Sequence, residues 1–118
     1  MIAVIFEVEP HPDHKNGYLE IAASMRALVD QVDGFISVER FQSLTNEGKL
    51  LSLSYFRDEK AVEDWRNLVA HRQAQAKGRD KYFKDYRLRI ASVLRDYGLN
   101  DREQAPADSK DVHKAGTT

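Results

Sequence analysis

The sequence predicts a ferredoxin-like α+β domain in the order βαββαβ, with a four-stranded antiparallel sheet that pairs with a second copy as a dimeric α/β barrel. Three observations carry this reading. Strand-like and helix-like segments follow one another in that order, which places both helices on one face of the sheet. The first strand-like segment is apolar on both sides rather than alternating, and the second and fourth also carry large residues on both sides. The helix-free face therefore needs a cover, and a second copy of the same sheet is the simplest one.

The first strand runs from Ile2 to Val8 and is ended by Pro10 and Pro12. Tyr18, Ile21, Ala22, Met25, Leu28, Val29 and Val32 then recur at spacings of three and four, an amphipathic helix with one apolar stripe. Asp33-Gly34 stops it, since glycine accepts the left-handed conformation at a helix C-terminus. Phe35 to Leu44 reads as the second strand, Asn46-Glu47-Gly48 as a turn and Leu50 to Arg57 as the third strand. On that third strand Leu51, Leu53 and Tyr55 share one face, while the small Ser52 and Ser54 share the other with Phe56.

Asp58 is the expected N-cap of the second helix, with Glu59 in its first turn. Ala61, Val62, Trp65, Leu68, Val69 and Arg72 lie along one side of that helix, and Gly78 is its expected end. A short helical turn is expected over Asp80 to Lys84 and a long last strand over Tyr86 to Tyr97. From about Leu99 the composition turns polar, so residues 1–98 read as the domain and 99–118 as a mobile tail able to lie over a partner subunit.

Composition narrows the function. The 118 residues carry 18 Lys and Arg against 19 Asp and Glu, a net charge of -1, so no global positive field gathers nucleic acid or an anionic membrane. With no cysteine there is no disulfide, thiolate nucleophile or Cys-ligated metal. Met1 to Phe6 leads into Glu7 and Glu9 without a basic leader or a cleavage signal, which reads as a cytoplasmic protein. His11 and His14 have a spacing some metal sites use, but they sit in a proline-containing loop with no third histidine nearby, so no metal site is expected.

Gly34-Phe35-Ile36-Ser37-Val38-Glu39-Arg40-Phe41, then Leu50-Leu51-Ser52-Leu53-Ser54-Tyr55-Phe56-Arg57-Asp58-Glu59, then Ala61, Trp65 and His71, resemble the antibiotic biosynthesis monooxygenase superfamily. The resemblance covers roughly residues 1–97. It implies cofactor-independent oxygenation of a small aromatic or quinol-type compound. It also implies two alternatives: a haem-binding or haem-degrading protein with His71 as axial ligand, and a non-catalytic small-molecule-binding or stress-response module. Haem-degrading members carry an asparagine on strand one and a longer Trp-to-His spacing. Here Phe6 and Glu7 occupy that region and Trp65 precedes His71 by only six residues, which counts against haem degradation.

Cofactor-free oxygenation needs a base to ionise the substrate and donors to hold the anion beside dioxygen. His71, Trp65 and Asn67 are the candidate catalytic residues, and Tyr55, Arg72 and Phe6 the candidate substrate-binding residues. Each has a plainer reading. Trp65 suits a core position, and His71, about 120° around the helix from it, suits a boundary position with a surface hydrogen bond. Arg66, Arg72, Arg79, Arg87, Arg89 and Arg95 read as a solvated face paired with Glu63, Asp64, Asp80, Asp85 and Asp96, although one or two could hold a small anion.

Overall fold

A computed structural model describes residues 1–75 and 83–109, with every side chain in those ranges except those of residues 14 and 70–75. The elements are β1 (Ile2–Pro10), α1 (Lys15–Val29), β2 (Phe35–Gln42), β3 (Leu50–Phe56), α2 (Glu59–Gln75) and β4 (Phe83–Ser92), with a 3-10 turn over Pro12–His14 leading into α1. The sheet order is β2-β3-β1-β4 and every pairing is antiparallel, as the ferredoxin-like prediction requires.

The period-two alternation of a strand divides the sheet into two faces. Toward the helices, β1 turns Ile2, Val4, Phe6 and Val8, and β3 turns Leu50, Ser52, Ser54 and Phe56. Two apolar clusters hold the helices down. Val29, Val32, Phe56, Ala61 and Val62 form one, with Ile2, Val4, Phe35, Trp65 and Leu68 packed against it. Val8, Tyr18, Ala22 and Leu50 form the other, with Phe6 and Phe83 at its margin. Phe56 and Val8 are fully enclosed.

Two local devices set the angles between layers. Gly34 takes φ +94°, which reverses the chain after α1, and its carbonyl accepts the Arg57 N–H at 2.7 Å. The Arg57 guanidinium then reaches both carboxylate oxygens of Asp33 at 3.3 Å, tying the α1–β2 corner to the β3–α2 corner. At the start of α2 the Asp58 carboxylate accepts the Ala61 N–H at 2.9 Å, the cap read from the sequence. That bond, followed by the contact with Arg57, holds the Asp58 carboxyl below its usual range.

Element bounds differ from the sequence reading in five elements. The first strand continues to Pro10, α1 ends at Val29, so that Val32 and the expected stop at Asp33-Gly34 lie beyond it, and the third strand ends at Phe56 rather than Arg57. The second strand ends at Gln42, where its side-chain amide turns inward to the carbonyls of Ser43, Glu47 and Lys49. The last strand occupies Phe83–Ser92 rather than Tyr86 to Tyr97. It stops because its partner does: Ser92 lies opposite Ile2, and only the Val93 N–H to Met1 carbonyl bond remains beyond. Lys84 is therefore in the strand and not in a helical turn; Asp80, together with the expected α2 end at Gly78, lies outside the described residues.

After β4 the chain folds on itself. Arg102 donates to the carbonyls of Gly98 and Ser109 and stacks over the Tyr97 ring, and Ala105 is buried, while Leu94 and Leu99 stay exposed.

Candidate functional site

Ser52 and Ser54 stand on the helix side of β3 between the larger Leu50 and Phe56. Two small side chains at the centre of a sheet leave space that the helices cannot fill, and a chamber of about 320 Å³ opens there between the sheet and the two helices. Val4 and Phe6 of β1, Tyr18, Ile21, Ala22 and Met25 of α1, Val62 and Trp65 of α2, and Phe83, Leu88 and Ile90 of β4 form its apolar wall. Leu88 and Ile90 remain 52% and 48% exposed, so the chamber opens to solvent over β4.

Aromatic rings shape the wall beside β4. Phe83 packs edge-on against Phe6 at 6.1 Å and against Tyr18 at 5.7 Å between ring centroids. Polar groups come from Arg40 of β2, Ser52 and Ser54 of β3, Tyr18, the Trp65 indole and Arg66. Burial, the dominant cause, pushes the Tyr18 hydroxyl above its usual 10.0, and the Arg40 guanidinium beside it only partly offsets this.

The sequence-predicted residues are only partly brought together. Phe6 and Trp65 line the chamber. Tyr55 does not: it is paired with Ala3 and Ser37 on the opposite face of β3, one residue out of phase with Ser54. Asn67 is exposed and is not part of the chamber wall. His71 and Arg72 fall within α2, but their side chains lie outside the described residues.

Tyr18, Arg40, Ser52, Ser54 and Arg66 were not read as site residues from the sequence. Tyr18 is part of the α1 apolar stripe, and Arg66 was read as one of a solvated arginine face. The one legible signal was the lightly polar, small-residue side of β3.

The helix-free face is chemically divided. Ala3, Ile5, Leu51, Leu53 and Tyr55 form an apolar half, while Glu7, Glu9, Lys49, Asp85, Arg87 and Arg89 form a charged half. Glu7 pairs with Arg89 and with Lys49, and the Arg89 hydrogen bond is the main cause of its lowered carboxyl pKa. Among the described residues no group of three or more His, Asp or Glu is arranged to hold a metal, and no helix is long and apolar enough to cross a membrane.

Comparison with known proteins agrees with this architecture. The sequence model of the antibiotic biosynthesis monooxygenase family matches residues 1–77. A jasmonate monooxygenase from Pyricularia oryzae is 45% identical over 101 residues, which cover 86% of this chain and 47% of that protein, so the chain spans about half of that relative's length. YqjZ, an uncharacterized protein of Bacillus subtilis, is 32% identical over 93 residues, 79% of each chain. Among solved structures, MhuD with two manganese protoporphyrin IX groups per active site superposes with a TM-score of 0.67 at 18% identity, covering 83% of this chain and 99% of that one, a likeness of fold.

Proposed function

The chain belongs to the antibiotic biosynthesis monooxygenase family, and on that premise we propose that it oxygenates a small, largely apolar compound of aromatic or quinol type without a resident cofactor. The observation that carries this reading is the chamber itself, an apolar wall interrupted by a few hydrogen-bond donors. A relative named as a jasmonate monooxygenase, 45% identical, supports oxygenation as the reaction class.

The chemistry balances without an external reductant when the substrate carries an acidic ring methylene conjugated with a carbonyl. A base removes one proton and leaves a delocalised anion whose negative charge rests on oxygen. Dioxygen takes up four electrons as that carbon becomes a carbonyl; one oxygen atom stays on the product and the other leaves as water. The wall residues act on the anion: Trp65 and Ser54 line the chamber, and their indole N–H and hydroxyl are the proposed donors that lower the cost of the developing charge. Apolar neighbours exclude water there and strengthen both interactions. His71 of α2 is the proposed base, subject to the mutational test below, and Arg72 beside it on α2 is a proposed substrate-binding group.

The test is oxygen uptake by purified protein with a panel of phenols, quinols and anthrone-type compounds, with ¹⁸O₂ in parallel. One labelled oxygen atom in the product, with no added flavin, metal or haem, supports the reading, and His71→Ala should remove most of the rate. Activity that appears only on adding hemin would replace it with the haem alternative. Saturable binding without oxygen uptake would leave a passive binding module.

We also infer a dimer through the helix-free sheet face. Ile5, Leu51, Leu53 and Tyr55 present an apolar surface there, and the Glu7–Arg89 and Glu7–Lys49 pairs lie beside it.

A further inference from the structure

The chamber is chemically polarised along the width of the sheet. Arg40 stands on β2 at one edge, and Leu88 and Ile90 stand on β4 at the other, with β3 and β1 between them. Three inter-strand spacings separate these edges, about 14 Å. Within that span the β3 contribution is Ser52 and Ser54, and the β1 and β4 contributions are Val4, Phe6, Leu88 and Ile90. Polarity therefore falls from the β2 edge to the β4 edge.

The charge of the wall has one sign. Its described residues include two guanidinium groups, Arg40 and Arg66, and no carboxylate, in a chain whose net charge is -1. Arg40 is opposite Ser52 in the ladder, and its neighbours on the same side of β2 are Val38 and Gln42. Glu39, the nearest carboxylate in sequence, points to the other face of the sheet. The group Arg40 acts on within the chamber wall is the neutral Tyr18 hydroxyl, which leaves guanidinium N–H donors for a ligand.

We propose that Arg40 is the specificity-determining residue of the chamber, gripping the carboxylate of an elongated amphipathic acid whose apolar body crosses β3 and β1 to end against Phe83, Leu88 and Ile90. This deepens the oxygenase reading and rests on the same chamber. A carboxylate suits the place for two reasons. A guanidinium holds it through two parallel hydrogen bonds, and Arg40 is exposed enough that the bound anion keeps part of its hydration. Tyr18 and, across the ladder, Ser52 supply hydroxyl groups of the wall near Arg40.

The test uses a matched pair of probes, 6-phenylhexanoate and 6-phenylhexan-1-ol, titrated against the full chain at neutral pH and followed by Trp65 fluorescence. The acid should bind about tenfold tighter than the alcohol or better, as a charge-assisted hydrogen bond warrants. Arg40→Gln should erase that preference while changing the affinity for the alcohol by less than about threefold, and Arg40→Lys should restore part of it. Equal affinity of wild type for acid and alcohol overturns the anchor and leaves the oxygenase reading standing. A preference that survives in Arg40→Gln overturns the assignment to this residue. If neither probe binds, the chamber is not the ligand site and both readings fall together.

Discussion

Arg40 of the edge strand β2 and Tyr18 of α1 line the same chamber, close enough for the guanidinium to act on the Tyr18 hydroxyl at its polar end. The contact lies between residues 22 positions apart in sequence, on elements separated by the Gly34 reversal. Burial keeps the phenol protonated, and the guanidinium works against that by favouring the phenolate.

Tyr18 makes stability sensitive to alkali. Its folded pKa is raised above the usual 10.0, with burial as the main cause, so the folded state holds that proton more tightly than the unfolded chain does. The contribution is complete below pH 10 and is lost as pH rises through the higher folded value. Urea denaturation on either side of that pH should show wild type losing stability more steeply than Tyr18→Phe. Parallel profiles would show that Tyr18 does not carry the effect.

Gly34 is expected to tolerate no side chain. A Cβ there would lie 2.9 Å from the Ala61 Cβ and 3.3 Å from the Arg57 Cβ, at φ +94°. Clash and backbone strain together should cost about 2–3 kcal/mol in Gly34→Ala, measured by chemical denaturation. A loss below about 0.5 kcal/mol would mean that the α1–β2 corner relaxes freely.

Phe56 carries much of the packing under α2. It is fully buried and meets Phe35 edge-on at 5.7 Å. Phe56→Ala should cost about 3–5 kcal/mol by the same measurement. Leu44, 97% exposed, is the matching control, and Leu44→Ala should stay within about 0.5 kcal/mol.

The dimer prediction is tested where the two central strands meet. Ile5 and Leu53 are register partners on the helix-free face. Leu53→Asp or Ile5→Asp should halve the mass seen in light scattering while leaving the far-ultraviolet circular dichroism unchanged. Wild type running as a monomer at micromolar concentration would remove the proposed interface.

Fold was legible because its signals are local and repetitive. The three-and-four spacing from Tyr18 to Val29, the Asp58 cap and the alternation along β3 each depend on near neighbours, and the structure reproduces all three, while Val32 at the end of the predicted stripe lies past the helix. Strand ends were less legible. Where β4 stops depends on where β1 begins, some ninety residues earlier, and no property of Val93 or Leu94 announces it.

The site was legible in part, for a related reason. Trp65 and Phe6 were found because large aromatic residues on helix-facing positions line any space that exists there. Tyr55 was misplaced as a pocket residue because its neighbour Ser54 holds the inward position, and the parity of a strand admits only one of the two.

By itself, the sequence determined the order βαββαβ, the approximate course of each strand and helix and the apolar stripes that join the layers, since these follow from side-chain periodicity along the chain. Only the tertiary structure decided that Ser52 and Ser54 leave a chamber and that Arg40 and Tyr18 meet within it. A cavity is the volume that distant side chains fail to fill, and the approach of a β2 residue to an α1 residue depends on how two separately formed elements are packed. Neither is a property of any stretch of sequence read alone.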